Sequence, residues 1–228
     1  MKRTLLIFAL SLCAIVASRA DLTLEQIIEG AAQSGNIVTR VKGDRFRLDM
    51  PAGEQGPVST IVDIKTGDMV TLIHEKKIAV RRTGAQIRQA QEARDKAAGV
   101  DPAKKIDPPK PLPSKRTGRV GKYDAEIFTL SVDGATETLW IVKDYPHFKS
   151  IQEHLQRVSQ ASPPGVNRAA TVDVAALPGM LVKRQKERGG QKLTITLTAA
   201  KEDAIEDSVF EAPHDYRAVT PPEPGAQK

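Results

Sequence analysis

Apolar and polar positions alternate from Asp21 onward with a period of two, broken by turn formers, the signature of antiparallel strands. Leu22 and Leu24 open a first strand against Thr23 and Glu25. Ile37 to Val41 turns through Gly43-Asp44 into Phe46, Leu48 and Met50, while Arg45, Arg47 and Asp49 take the other face, so this hairpin has one wet side. A loop from Pro51 to Pro57 leads to a second hairpin, Val58 to Ile64 against Met69 to Ile73 across Lys65-Thr66-Gly67-Asp68. His74 to Lys77 is a polar bend, and Ile78 to Val80 completes a meander of six strands.

The alternation then stops. Residues 85–98, rich in Ala, Gln, Arg and Lys, predict a helix whose stripe of Ile87, Ala90, Ala93 and Ala97 has little apolar area with which to dock. Residues 99–121 hold Pro102, Pro108, Pro109, Pro111 and Pro113, a density that predicts an extended loop without regular structure. Strands resume at Tyr123 to Val132 and Thr136 to Val142 about Asp133-Gly134. A two-residue loop there sets Phe128 opposite Leu139 and a three-residue loop sets it opposite Trp140, a choice the sequence leaves open. Phe148, Ile151, Leu155 and Val158, spaced 3, 4 and 3, give the helix from His147 to Gln160 a proper apolar stripe. After Ser162-Pro163-Pro164-Gly165 comes the last hairpin, Met180 to Glu187 and then Leu193, Ile195 and Leu197 between threonines. Pro221, Pro222 and Pro224 predict a disordered tail over 218–228.

The expected fold is therefore mainly β with some α: one domain over 21–217, a curved antiparallel sheet of about eight to ten strands, with two helices on or near its concave face. A sheet that wide offers more apolar surface than two modest helices can fill. Phe46, Leu48, Phe128, Leu130, Trp140, Leu193 and Ile195 are the residues expected on that face, either as core or as the lining of a groove for a hydrophobic guest.

The first twenty residues change the setting. Lys2 and Arg3 precede an apolar run from Leu5 to Ala17, and Ser18-Arg19-Ala20 places small residues at −3 and −1 of a cut before Asp21. The run is shorter than the roughly 20 residues that cross a membrane, so it reads as a secretory signal peptide, cleaved near Ala20 to give a periplasmic or secreted chain. Leu10-Ser11-Leu12-Cys13 is a weaker alternative, a lipidation site, with bulky Leu12 where a small residue is wanted. The formal charge is +6, from 34 basic and 28 acidic residues; without Lys2, Arg3 and Arg19 it is 31 against 28, or +3. Cleavage also removes the single cysteine, and with it disulfide or thiol chemistry.

Candidate chemistry is sparse. No Gly-x-Ser-x-Gly, Ser-x-x-Lys, His-Glu-x-x-His or phosphate-binding loop occurs, so no catalytic residue, metal or cofactor is assigned and an enzyme is the weaker class. His147 and His154, seven apart on a helix, could share a face toward a metal but lack further ligands; solvated histidines are the plainer expectation, as for His74 in its bend. Glu202-Asp203 and Glu206-Asp207 read as a solvated acidic turn. Lys104, Lys105, Lys110, Lys115 and Arg116, with Arg119, form a basic stretch suited to a solvated loop or an anionic membrane surface. Nucleic acid is disfavoured, because export and the absence of interleaved aromatic residues argue against it.

Several segments together carry a resemblance. They are Asp21-Leu22-Thr23-Leu24-Glu25-Gln26, Val41-Lys42-Gly43-Asp44-Arg45, Thr60-Ile61-Val62-Asp63, Lys65-Thr66-Gly67-Asp68-Met69, Leu72-Ile73-His74-Glu75, Leu177-Pro178-Gly179-Met180, and Asp207 to Pro213 with Tyr216. In this order they resemble an exported bacterial family known as a domain of unknown function, itself distantly similar to periplasmic lipoprotein carriers of the LolA and LppX type. The resemblance implies a half-barrel of antiparallel strands over helices, with an apolar cavity that in the carriers shelters lipid chains, and no catalytic or ligand residue to transfer. Lys76 to Arg81, where a Met- and Tyr-rich strand is usual, and the proline-rich stretch from Asp101 to Pro113 depart from the pattern. The function expected is non-catalytic binding of a hydrophobic or lipidic ligand in the envelope; the alternative is a structural or protein-interaction module without a cavity, engaging an envelope protein or membrane surface.

Overall fold

The computed structural model describes residues 20–31, 33–53, 56–99, 110–132, 134–161 and 174–221. The segment read from the sequence as a signal peptide, with Cys13, lies outside them, as do Lys104, Lys105 and residues 162–165.

Twelve strands form one sheet that does not close. They are β1 (Leu22–Gly30), β2 (Ser34–Lys42), β3 (Arg45–Gly53), β4 (Gly56–Asp63), β5 (Met69–Ile73), β6 (Ile78–Arg82), β7 (Leu112–Val120), β8 (Tyr123–Val132), β9 (Ala135–Val142), β10 (Met180–Arg188), β11 (Gln191–Lys201) and β12 (Arg217–Val219). Their order is β12-β6-β5-β4-β3-β2-β1-β11-β10-β9-β8-β7, so two local meanders are zipped together by one long-range pair, β1 with β11. Every pairing is antiparallel except β12 beside β6. The result is an open half-barrel with β12 and β7 as its edges.

Two helices accompany the sheet. α1 (Gly84–Ala97) starts from a capping box, in which the Thr83 side chain accepts from the Gln86 N–H and the Gln86 side chain accepts from the Thr83 N–H. Its Ile87 and Ala90 are only half-buried and join none of the buried clusters of the described residues, as the thin stripe predicts. α2 (Phe148–Ala161) docks fully: Phe148, Ile151, Leu155 and Val158 pack with Leu22, Leu24, Val41, Val142, Met180 and Val182. The face that carries α2 is called the inner face below.

Strand alternation and cross-strand register divide the residues between the two faces. Leu22, Leu24 and Ile28 of β1 point inward and are buried, whereas Ile27 is 39% exposed outside. Over β1, β2 and β8 to β10 the inner face is covered by α2 and by the short turn at Val174–Ala176, which with Leu177 closes over Phe128, Leu130, Leu139 and Ile141. Over β4 to β6 it is the outer face that is covered. There the chain following β11 crosses the sheet as a strap, and Ile205 and Phe210 bury Ile61, Leu72 and Ala79. Lys42 and Arg45 grip Asp207 of the strap, Lys42 donates to the Ile205 carbonyl, and the Arg45 guanidinium stands 5.1 Å from the centre of the Phe210 ring.

Three expectations need correction, and one choice left open by the sequence is decided. The proline-rich stretch does contain a strand: β7 tolerates Pro113 because it is an edge paired on one side only, with a bulge between Pro113 and Arg116. The loop expected over Pro51 to Pro57 is mostly strand, since β3 continues to Gly53 and β4 starts at Gly56. The Asp133-Gly134 connection is of the two-residue kind, because Val132 pairs with Ala135 and Phe128 with Leu139. At the C-terminus, β12 carries regular structure to Val219, inside the segment expected to be a disordered tail, because β6 offers it an open edge.

Candidate functional site

The inner face is apolar almost throughout. On the wing formed by β3 to β6 the register places Leu48 and Met50 beside Thr60 and Val58, then Thr71 and Ile73, then Val80 and Ile78. All eight are half-buried, and none belongs to the buried clusters of the described residues. Leu24 and Leu72, which belong to the clusters of α2 and of the strap, are buried by contrast. This wing therefore keeps apolar surface that the described covers do not take up.

Away from the strand ends, charge enters the inner face around Glu137. Cross-strand register aligns Ile28, Ile195, Arg184, Leu139 and Phe128 in one row and Gly30, Leu193, Lys186, Glu137 and Leu130 in the next. Glu137 is fully buried. Arg184 holds it in a fork, Nε donating to Oε2 at 3.0 Å and Nη2 to Oε1 at 2.8 Å, and the Lys186 ammonium approaches Oε1 at 3.5 Å. Two cations thus meet one carboxylate among leucines and isoleucines. A buried carboxylate is tolerated only when paired in this manner.

The seven residues named from the sequence are distributed as follows. Phe46, Leu48, Phe128, Leu130, Leu193 and Ile195 share the inner face, whereas Trp140 lies on the outer one, in register with Lys183, whose ammonium stands 4.9 Å from the ring centre. Phe128 and Leu130 are buried beneath Leu177, and Phe46 packs against the α2 cluster, so these three are core. Leu48, Leu193 and Ile195 remain half-buried. Of the basic stretch, Lys110, Lys115 and Arg116 are exposed, the last two on edge strand β7.

A second polar cluster escaped the sequence reading. His74, expected as a solvated bend, is half-buried on the outer face, with Nε2 2.7 Å from Ser59 Oγ and Nδ1 2.7 Å from the Tyr216 hydroxyl. Ser59 is 1% exposed and donates its one proton to Asp49 Oδ1 at 2.5 Å, so it must accept from His74 and from Arg47 Nη2 at 3.1 Å. His74 then has no lone pair facing Ser59 and cannot deprotonate it. The cluster clamps instead: Tyr216 belongs to the strap, and Arg47 Nη1 donates to the strap's Val209 carbonyl at 2.7 Å. Burial by itself would raise the pKa of Asp49, but hydrogen bonds from Ser59 and Arg47 and the charges of Arg47 and Arg40 outweigh it and hold the carboxyl below the usual range.

The other histidines also divide. His147 is exposed, whereas His154, expected in solvent, is buried with Nδ1 2.6 Å from Arg157 Nη2, because it falls between Ile151 and Leu155 on the docked side of α2. The acidic turn is less solvated than expected, since Glu202 is half-buried and accepts from Ser150 while Asp207 anchors the strap. Among the described residues no group of His, Cys, Asp or Glu is gathered as a metal site, and no helix is long and apolar enough to cross a membrane.

Residues 21–216 match the family described as a domain of unknown function, DUF4412. The chain belongs to that family. No curated protein matches this DUF4412 chain. Among solved structures it is similar to PNGF-II, with 12% identity and a TM-score of 0.42 over 89% of this chain, but it spans only 31% of PNGF-II. It is also similar to the lipoprotein LppX of Mycobacterium tuberculosis, with 8% identity and a TM-score of 0.41 over 82% of this chain and 90% of LppX. LprF from Mycobacterium bovis follows with 13% identity and a TM-score of 0.37, covering 88% of this chain and 92% of LprF.

Proposed function

We propose that this DUF4412 protein is an exported, non-catalytic binding protein of the bacterial envelope that takes up a hydrophobic or lipidic ligand on the inner face of its half-barrel. The supporting observation is the wing of β3 to β6, where Leu48, Met50, Val58, Ile73, Ile78 and Val80 stay half-buried on the same face that α2 fills elsewhere. Each Å² of such surface removed from water by an acyl chain contributes about 25 cal/mol, so a single chain laid along the row would be held without any directional contact. Of the lining expected from the sequence, Phe128 and Leu130 are taken by Leu177, which leaves the half-buried β3 to β6 wing with Leu48, and Leu193 and Ile195 of β11, as the surface for the ligand.

The test is displacement of a fluorescent fatty acid from the purified mature chain, with Ile73→Glu beside it. The expected result is saturable displacement by the wild type and at least about a tenfold weaker affinity in the variant, whose buried charge repels the chain. Equal binding by both proteins, or none by the wild type with its thermal transition intact, would overturn the proposal.

A second reading has one observation of its own. The edge strand β7 is exposed along most of its length, carries Lys115, Arg116 and Arg119, and shows Leu112 68% exposed, a surface fit for a protein partner. The bulge and Pro113 weigh against strand addition there, since both blunt an edge.

A further inference from the structure

We infer that the ligand is an amphiphile with an anionic head, a carboxylate or a phosphate, and that Arg184 and Lys186 receive it. The inference rests on the lipid-binding reading and names what that reading leaves open. The argument is one of charge balance on an apolar face. From β8 through β1 to β6, the inner positions are apolar, Gly, Thr or Gln except for the trio Glu137, Arg184 and Lys186, and for Asp124, Glu126, Arg188 and Arg82 toward strand ends. The trio has one more positive charge than negative.

Arg184 alone satisfies Glu137, since its fork uses both carboxylate oxygens. Lys186 is then surplus, with its ammonium no nearer than 3.5 Å to Glu137 and no other partner among the described residues. The remaining guanidinium nitrogen of Arg184, Nη1, is likewise without a partner among them. The side chains of Arg184 and Lys186 are 23% and 44% exposed, whereas Glu137 is shielded at 1%. An arriving anion therefore meets donors, with the repelling carboxylate behind them.

The surroundings match an amphiphile. In the cross-strand rows Arg184 has Ile195 and Leu139 as neighbours, and Lys186 has Leu193 and Glu137. A small, fully hydrated anion gains little in such a setting, because the apolar neighbours offer no replacement for its water. An anion carrying a chain brings apolar surface to cover Leu193 and Ile195 while its head takes the free donors. Charge-assisted hydrogen bonds of this kind are the strong ones, and a dry surrounding strengthens them. Glu137 thus acts as a positioning residue, fixing the Arg184 fork so that its outer nitrogen is held ready.

The experiment compares oleate, oleoyl lysophosphatidate and oleyl alcohol as competitors against a fluorescent fatty acid, using wild type, Lys186→Ala and Lys192→Ala. Lys192 is an exposed neighbour on the other face and controls for general charge. At least one anionic competitor should act at about tenfold lower concentration than the alcohol on the wild type and on Lys192→Ala. Lys186→Ala should close most of that gap while leaving the alcohol unchanged. Whichever anion competes better identifies the head. Equal competition by all three, or a gap that Lys186→Ala leaves intact, would sink the head-group site while leaving the lipid reading in place. Failure of all three to compete would remove both.

Discussion

At the scale of single residues, buried polar groups set this protein's sensitivity to acid. Asp49 receives Ser59 and Arg47 and lies against Arg40, and its folded pKa is lowered relative to the unfolded chain. A depressed carboxylate contributes stability that is present above the unfolded pKa, about 4, and is lost as pH falls through the lower folded value. Thermal melts of wild type and Asp49→Asn should differ most near neutrality and converge as pH falls below the lowered folded pKa of Asp49. A difference constant across that range would contradict the assignment. None of this was legible beforehand. Ser59, His74 and Tyr216 are far apart in sequence, and a serine in an alternating strand looks the same whether it faces water or a clamp. His154 was expected in solvent, although it sits three residues after Ile151 and one before Leu155, so the spacing that defines the apolar stripe already includes it.

At the scale of elements, the two helices test whether pattern predicts docking. The stripe of α2 combines Phe148, Ile151, Leu155 and Val158, and the structure buries Ile151 to 2% exposure. That of α1 offers one isoleucine and alanines, and Ile87 stays half-buried. Ile151→Ala should therefore cost about 2–5 kcal/mol in urea unfolding. Ile87→Ala should cost about 1 kcal/mol or less. Comparable losses would show that α1 packs more tightly than its contacts indicate. Strand β7 shows where element reading from composition stops. Five prolines argue against a strand in general, yet an edge strand needs its N–H groups bonded on one side only, and edge or centre is a property of the assembled sheet.

At the scale of the whole molecule, the half-barrel is two meanders covered on opposite faces, by α2 inside and by the strap outside. Phe210 is the strap's largest apolar contact with Ile61, Leu72 and Ala79. Phe210→Ala should accelerate amide hydrogen exchange in β4, β5 and β6 well ahead of β8 and β9, which rest on Leu139 and Leu177 instead. Uniform acceleration through the sheet would mean that the two wings unfold as one unit. The half-buried inner surface of β3 to β6 belongs to the same division, since the strap covers those strands from outside and the buried clusters of the described residues do not include their inner side.

The sequence by itself determined the local structure: the hairpins at Gly43, Gly67 and Gly189, the helix from Phe148, and a mainly β chain with more apolar strand surface than helix to cover it. Period, turn chemistry and stripe width are short-range properties, read within a dozen residues. Only the tertiary structure decided which apolar side of β4 to β6 is core. Ile61, Leu72 and Ala79 alternate with Val58, Val62 and Val80, so both sides read alike along the chain. It likewise decided that Glu137 meets Arg184 and that His74 meets Tyr216. Those choices follow from contacts between residues 47 and 142 positions apart, which no local pattern encodes and which exist only once β9 has paired with β10 and the strap has crossed the sheet.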